Sequence, residues 1–509
     1  MRTKLSIFCS KVIEAGWLVA VIAVPLFFNI HTARTFEPDK LTLMRSLAIV
    51  MAVAWIIKVM EEGSLFNSSE PLPFSIRLKT WLKQPFVLPT LCLVTIYIIS
   101  TIFAISPRVA LWGSYQRLQG SYTFLSYVVI FALMAANMTE RSQVDRFINT
   151  IILTSIPISL YGIIQHNGLD PLPWAGDVTR RVASNMGNAI FVASYLIMVV
   201  PITLVRLVNS MTAIVTEENA SWGHTILSAV YIFVLAIQML TILYSQSRGP
   251  QVGLLGAFAL MGLLILLILR QRAEDKSILS FRELGQGALL VIALGVAGAA
   301  GGGLGYLGGL GIDALLSAAR LEAEGLTLLG AALGGLIGFT GVYVYLAAAG
   351  KGWRWMWTSW PILAILAVTF VILLNIPQGP LQPLQSIPYL GRMGQLTDID
   401  AGTGKVRVLI WEGALELISP HRPIGVEGEY SDSLNAFRPL IGYGPESMFN
   451  AFAYAYPPEL AYHEARGSSA DRSHNETMDS LVITGVIGLA AFYFLIISLF
   501  YFALKWLGW

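Results

Sequence analysis

The chain has little charge and almost no cysteine. Only 13% of its 509 residues are Asp, Glu, Lys or Arg, and 33 cations nearly cancel 31 acids to leave a formal net charge of +2. A nucleic-acid partner calls for a basic domain or stripe, which so even a balance does not supply. Cys9 and Cys92 are the only cysteines, one beside the first apolar run and the other inside an apolar run. They build neither a disulfide framework nor a metal knuckle. The glycine-rich tract Gly301-Gly302-Gly303-Leu304-Gly305 has no preceding strand and no following Lys-Ser/Thr. It is therefore not read as a phosphate-binding loop.

What the chain has in excess is apolar: 55% of residues are hydrophobic and the mean hydropathy is +0.66. This composition describes an integral membrane protein. The segment 11–30 is too long for a cleaved leader and lacks a small-residue cleavage site before His31, so it reads as the first span. With about 20 apolar residues per crossing, twelve spans fall at 11–30, 41–60, 85–104, 122–138, 147–165, 189–208, 225–244, 250–270, 287–310, 326–349, 357–375 and 480–504. The glycines of the ninth leave it open as a kinked span, a close helix contact or a re-entrant piece. The fold class is an all-α polytopic membrane protein. Its expected domains are spans one to eleven over 1–375, an extracytoplasmic loop domain over 376–479, and the last span within 480–509.

Arg2, Lys4, Lys11, Arg77, Lys79, Lys83, Arg141, Arg146, Arg270, Arg272, Lys276, Arg282, Lys351 and Arg354 fall on one side of that arrangement, which the positive-inside rule makes cytoplasmic. Both termini then lie inside and the long polar segment outside. Short outer loops nevertheless keep Arg34, Lys40, Arg108, Arg117, Arg180, Arg181 and Arg248. Snorkelling to lipid headgroups accounts for any one of them. Cations recurring over several loops point instead to an anionic ligand, because the guanidinium grips phosphate as a bidentate fork.

Arg248 sits in Tyr244-Ser245-Gln246-Ser247-Arg248-Gly249-Pro250, between two spans with almost no loop. In the outer segment Arg407, Trp411 and Leu415 share one helical stripe, as they would on a helix lying on the membrane. Gly442-Tyr443-Gly444-Pro445-Glu446 reads as a tight turn, and the aromatics of 449–456 either anchor in the interface or stack on sugar rings. Asp471-Arg472-Ser473-His474-Asn475-Glu476-Thr477 places an imidazole at the entrance to the last span, where it can exchange protons near neutral pH. It also reads plainly as a helix start capped by Ser473 or Asn475. Asp398-Ile399-Asp400 spells the pattern that nucleotide-sugar transferases use for a divalent ion, a weak three-residue match, and Glu446, His421 and His463 fit no metal spacing.

In order and spacing, four motifs resemble the O-antigen ligase and polymerase superfamily of bacterial membrane glycosyltransferases. They are Ser247-Arg248-Gly249, Arg407 with Ile410-Trp411, Gly442 to Glu446, and Asp471 to Asn475 followed by Thr484-Gly485-Val486-Ile487-Gly488-Leu489. Weaker echoes are Trp112-Gly113-Ser114 with Arg117 and Gly120, Gly162-Ile163-Ile164-Gln165 with Asp170-Pro171, and Gly187-Asn188 after Arg181. The resemblance implies a GT-C-like fold in the cytoplasmic membrane with its site facing the periplasm or cell exterior. It implies metal-independent, inverting transfer of a glycan from a polyprenyl (undecaprenyl) pyrophosphate to a glycan, lipid or protein acceptor, with no cofactor. Arg248 and Arg407 match the family's phosphate-binding arginines, and His474 would orient or deprotonate the acceptor hydroxyl. Arg181, Arg117, Arg472, Tyr443 and Glu446 are then substrate-binding candidates. Ligase, polysaccharide polymerase and protein O-oligosaccharyltransferase remain open within the superfamily. A lipid-linked glycan transporter is the alternative of another class, and a non-catalytic polysaccharide-binding protein a third.

Overall fold

The computed structural model describes residues 3–32, 34–63, 74–174, 176–216, 222–272, 280–318, 326–348, 353–386, 391, 393–396, 402–426, 430–464 and 468–508. The helices run in the order α1 (Lys4–Leu26), α2 (Glu37–Glu62), α3 (Phe74–Leu82), α4 (Val87–Ile102), α5 (Pro107–Trp112), α6 (Ser121–Asn137), α7 (Arg141–His166), α8 (Ala189–Thr216), α9 (Trp222–Ser245), α10 (Arg248–Arg272), α11 (Phe281–Ala318), α12 (Leu326–Ala348), α13 (Trp353–Leu374), α14 (Gly402–Ile418), α15 (Arg438–Ile441), α16 (Met448–Phe452) and α17 (Glu476–Trp506). Among the described residues the sheet content is one antiparallel pair, Gly425–Val426 against Tyr430–Ser431.

Nine helices among the described residues are long and apolar enough to cross a bilayer: α1, α2, α7, α8, α9, α10, α11, α13 and α17. The chain is a multi-pass membrane protein. The expected third and fourth spans appear as the shorter apolar helices α4 and α6, of 16 and 17 residues. At ~1.5 Å per residue these reach only about 24–26 Å, short of a ~30 Å hydrocarbon core. The expected ninth span is one helix of 38 residues, and its glycines serve a close helix contact. A Cβ on Gly301 or Gly305 would strike the backbone carbonyls of Gly334 and Gly330 on α12.

The chain divides into two compact units, Met1–Gln143 with Asp398–Trp509, and Val144–Thr397. The expected loop domain over 376–479 falls partly in each unit. The reason is packing: α14 buries Leu409, Ile410, Ala414 and Leu417 against Tyr443, Met448, Phe452, Leu460 and Val482 of α17, so this stretch shares a core with a membrane helix. Residues 375–396 stay with the second unit, where Asn375 donates to the Met393 carbonyl and accepts from the Leu396 N–H.

In the first unit α2 packs on α1 and α6, and α17 packs on α4. At one end Ser6 donates to Glu62 (2.5 Å), Lys58 to Asn137 (2.8 Å) and Gln143 to Glu14 (3.0 Å). At the other end Arg117 bridges Glu37 (3.2 Å) and Asp471 (2.5 Å), so the loops entering α2, α6 and α17 share an end. The N-terminus of α1 and the C-terminus of α17 lie at the first end, where Phe86, just before α4, packs edge-on against Phe502 and Trp506.

In the second unit a buried polar seam joins three helices. Gln238 of α9 donates to Ser155 of α7 (2.7 Å) and Thr203 of α8 (3.2 Å), and Thr241 donates to the Ser159 carbonyl (2.9 Å). Hydrogen bonds of this kind hold helices together where no hydrophobic drive separates protein from lipid.

Candidate functional site

The entrance to α17 is built around a break in that helix. Gly485 has φ 70° and ψ −172°, a backbone region reserved for glycine, and this frees the carbonyls of Val482 and Ile483 from the helical ladder. Freed carbonyls at this depth must find other donors. Tyr443 N–H donates to Val482 O (2.8 Å), Gly444 N–H to Ile483 O (3.0 Å), and the Ser100 hydroxyl lies 2.6 Å from Ile483 O and 2.7 Å from Ile441 O. Gly442 lies so close to the break that a Cβ there would strike the Ile483 carbonyl. The turn 442–446 and the motif after Thr484 are thus two halves of one construction.

That turn carries Glu446, whose carboxylate accepts from the backbone N–H groups of Ser114 and Gln119 (2.7 Å for the latter). Glu446 therefore fastens the 112–120 loop rather than facing outward alone. Arg472 donates to the Gln119 side chain of the same loop. Burial pulls Arg117 down, but the hydrogen bond to Asp471 and the charges of Glu37, Asp471 and Glu446 outweigh it and hold its pKa above the ordinary value. Arg117 is thus a cation already matched by two carboxylates.

His474 is exposed and sits at φ 57°, and among the described residues it has no hydrogen-bond partner. The residues around it are fixed. Asp479 accepts from the Ser473 N–H (2.7 Å) and hydroxyl (2.8 Å), and Asn475 caps α17 by accepting from Thr477 N–H (3.0 Å). Clamped on both sides, the left-handed backbone turns the imidazole outward. The cap is Asn475, so the helix-start reading of this motif holds together with the exposed histidine.

Across from it, the α14 stripe 407, 411, 415 is the face turned away from the core. Arg407 is exposed and without a partner among the described residues, and Leu415 is exposed. Trp411 between them donates its indole N–H to the Ser473 carbonyl (2.9 Å). This one bond sets Arg407 a helical turn from the anchor of the His474 segment.

Tyr443 is fully buried, its hydroxyl donating to Leu417 O (3.0 Å) and lying 2.9 Å from His421 Nε2. Burial and the Asp432 charge, only partly opposed by Arg438, raise its pKa. It has no surface to offer a ligand, and its part is to hold the turn. His463 lies 3.9 Å from Glu459. Asp398 and Asp400 lie outside the described residues, and among those described no group of three or more His, Cys, Asp or Glu side chains is placed to hold a metal ion.

Two side chains that sequence reasoning did not single out hold this end of the unit. Arg45, 8% exposed in the N-terminal third of α2, donates to Thr123 (2.8 Å) and to the carbonyls of Trp112 (2.8 Å) and Leu118 (2.6 Å), with its guanidinium over the Tyr122 ring. Its signal was available: an ionisable residue inside an apolar run seldom lacks a task. Arg438 forms a buried bidentate pair with Asp432 (2.7 and 2.8 Å) and donates to Phe103 O (2.7 Å) and Gly442 O (3.0 Å). No spacing rule predicts that pair.

In the second unit the weaker echoes come together with Ser247-Arg248-Gly249. Arg181 donates to Ser245 O (3.0 Å) and Ser247 Oγ (3.3 Å), and Val182 N–H to Tyr244 O (3.3 Å), so the 180–182 segment runs along the turn that starts α10 with Arg248. Gln165 accepts from the N–H groups of Ala183 (3.2 Å) and Ser184 (2.7 Å). Asp170 gathers Tyr161, Gln165, Trp174 and the Leu172 N–H. Burial pushes the Asp170 carboxyl up, but these donors outweigh it and hold its pKa low. Arg248 is half-buried. The structure thus brings Arg117, Arg407, Tyr443, Glu446, Arg472 and His474 together in one unit, and Arg181 with Arg248 in the other.

No known protein family matches the chain, and neither does any curated protein or any solved structure.

Proposed function

We propose that the chain is an inverting glycosyltransferase that moves a glycan from a polyprenyl pyrophosphate to an acceptor hydroxyl at the outer face of the cytoplasmic membrane, in a twelve-span arrangement with α4, α6 and α12 completing the nine longer helices. The observation that carries this reading is the Trp411–Ser473 bond, which sets an exposed Arg407 beside the segment presenting an exposed His474, both without a partner among the described residues. A guanidinium and an imidazole base on clamped backbone are the two groups that displacement from a pyrophosphate needs.

In the step itself the acceptor oxygen attacks the anomeric carbon, and the bond from that carbon to the pyrophosphate oxygen breaks with its electron pair leaving on the pyrophosphate. His474 takes the acceptor proton. Arg407 meets the charge that develops on the leaving group; Arg248, in the other unit, is a phosphate-binding arginine by its motif alone. Arg117 is a poorer candidate for that charge, because Glu37 and Asp471 already neutralise it. Glu446 and Tyr443 act through the backbone they hold, and Arg472 through the Gln119 side chain.

Donor binding by purified variants tests the arginines. Arg248→Ala and Arg407→Ala are expected to weaken binding of a polyprenyl-pyrophosphate glycan at least about tenfold, and Lys replacements to restore it poorly, because a point charge does not reproduce the fork. Unchanged donor binding in both Ala variants would remove the pyrophosphate role.

A further inference from the structure

The 107–120 segment, which the transfer step leaves without a task beyond Arg117, lines a half-open surface cavity of about 440 Å³ walled by Arg108, Val109, Trp112, Gly113, Ser114 and Tyr115. This size falls within the ~300–1,000 Å³ of small-ligand sites. Two aromatic rings stand open at it, Trp112 at 53% and Tyr115 at 78% exposure. Arg108 is exposed beside them and, among the described residues, makes no hydrogen bond or ion pair.

The backbone beneath is unusually constrained for a loop with such an outer surface. Glu446 holds the N–H groups of Ser114 and Gln119, and buried Arg45 holds the carbonyls of Trp112 and Leu118. Gly113, at φ 87°, lies so close to the Leu118 and Gln119 backbone that a side chain there would collide with it. A ring that only anchors the protein among lipid headgroups works without a fixed backbone, since it need only reach the interface. Rings that stack on a ligand gain from being held, because affinity rises as less ordering remains to be done on binding.

Resting on the glycosyltransferase reading, we propose that this cavity is a saccharide subsite for a sugar bearing a carboxylate. Trp112 and Tyr115 stack on the apolar faces of the sugar rings, and Arg108 takes the carboxylate as a charge-assisted pair. Glu446 and Arg45 position the loop and touch no ligand.

The test is calorimetric titration of the full chain in detergent with a uronate-containing tetrasaccharide and with its carboxyl-reduced neutral counterpart. Polyprenyl-pyrophosphate binding is measured on the same preparations, and thermal melting checks folding. Trp112→Leu is expected to weaken both tetrasaccharides about tenfold, and Arg108→Gln to weaken only the uronate form by a similar factor, a change worth about 1.4 kcal/mol. Donor binding should be unaffected by either substitution. Tetrasaccharide binding that is absent in the folded wild type, or unchanged in Trp112→Leu, would overturn the subsite. The latter result joined to weaker insertion of Trp112→Leu into vesicles would make the rings membrane anchors. Saccharide binding with no donor binding would leave the subsite standing while the glycosyltransferase reading fell.

Discussion

Arg438 and Asp432 are each at most 3% exposed and satisfy one another with two parallel bonds, while Nη1 of the guanidinium donates to the carbonyls of Phe103 and Gly442. Removing one partner strands the other charge in the interior. Arg438→Met should therefore cost roughly 3–5 kcal/mol of stability, seen as a large fall in melting temperature in detergent. An unchanged melting temperature would mean that the pair does not hold the 430–443 turn. His474 and Arg407 were singled out in the sequence by residue type and motif order, and the fold leaves both side chains exposed. What stayed hidden was which cations are free. Arg117 and Arg407 look alike in the sequence, and only the fold brings Glu37 and Asp471 to the first and leaves the second without a partner among the described residues.

At the level of elements, hydropathy located the apolar helices well, since a run of apolar residues long enough to cross the bilayer leaves little other choice. The same property concealed the break in α17. Gly485 sits inside an unbroken apolar stretch, and a hydropathy profile is blind to φ. Gly485→Ala places a Cβ against the Leu440 carbonyl in a conformation that L-residues rarely adopt. We expect it to lower folded yield and melting temperature by an amount equivalent to about 1–3 kcal/mol or more. Gly256→Ala in α10, where a Cβ meets open space, should leave folded yield intact and raise stability slightly. Equal behaviour of the two variants would show that α17 tolerates a continuous helix, and the turn 442–446 would then lack its anchoring carbonyls.

For the whole molecule, the sequence placed a domain boundary at residue 375 because polarity changes there. The compact units divide near 143 and 397, where the apolar face of α14 finds its partners on 443–460 and on α17. Polarity marks where water is met, while packing decides which pieces form one body. The proposed sidedness is open to direct labelling in a variant lacking Cys9 and Cys92. A cysteine at Ser431 should react in whole cells with a membrane-impermeant reagent, and one at Ser280 should react only after lysis. The reverse pattern would place the His474 end of the first unit in the cytoplasm and remove the outer-face acceptor. The most direct measurement of the central claim is single-turnover transfer by the purified chain, supplied with a polyprenyl-pyrophosphate glycan and candidate acceptors, with and without a chelator. The wild type should release polyprenyl pyrophosphate and form an inverted glycosidic bond at the same rate under both conditions. His474→Asn, whose side chain tolerates the left-handed backbone, should still bind donor yet lose about 10²- to 10⁴-fold in rate. Full-rate transfer by His474→Asn, or no transfer by a wild type that binds both substrates, would contradict the account.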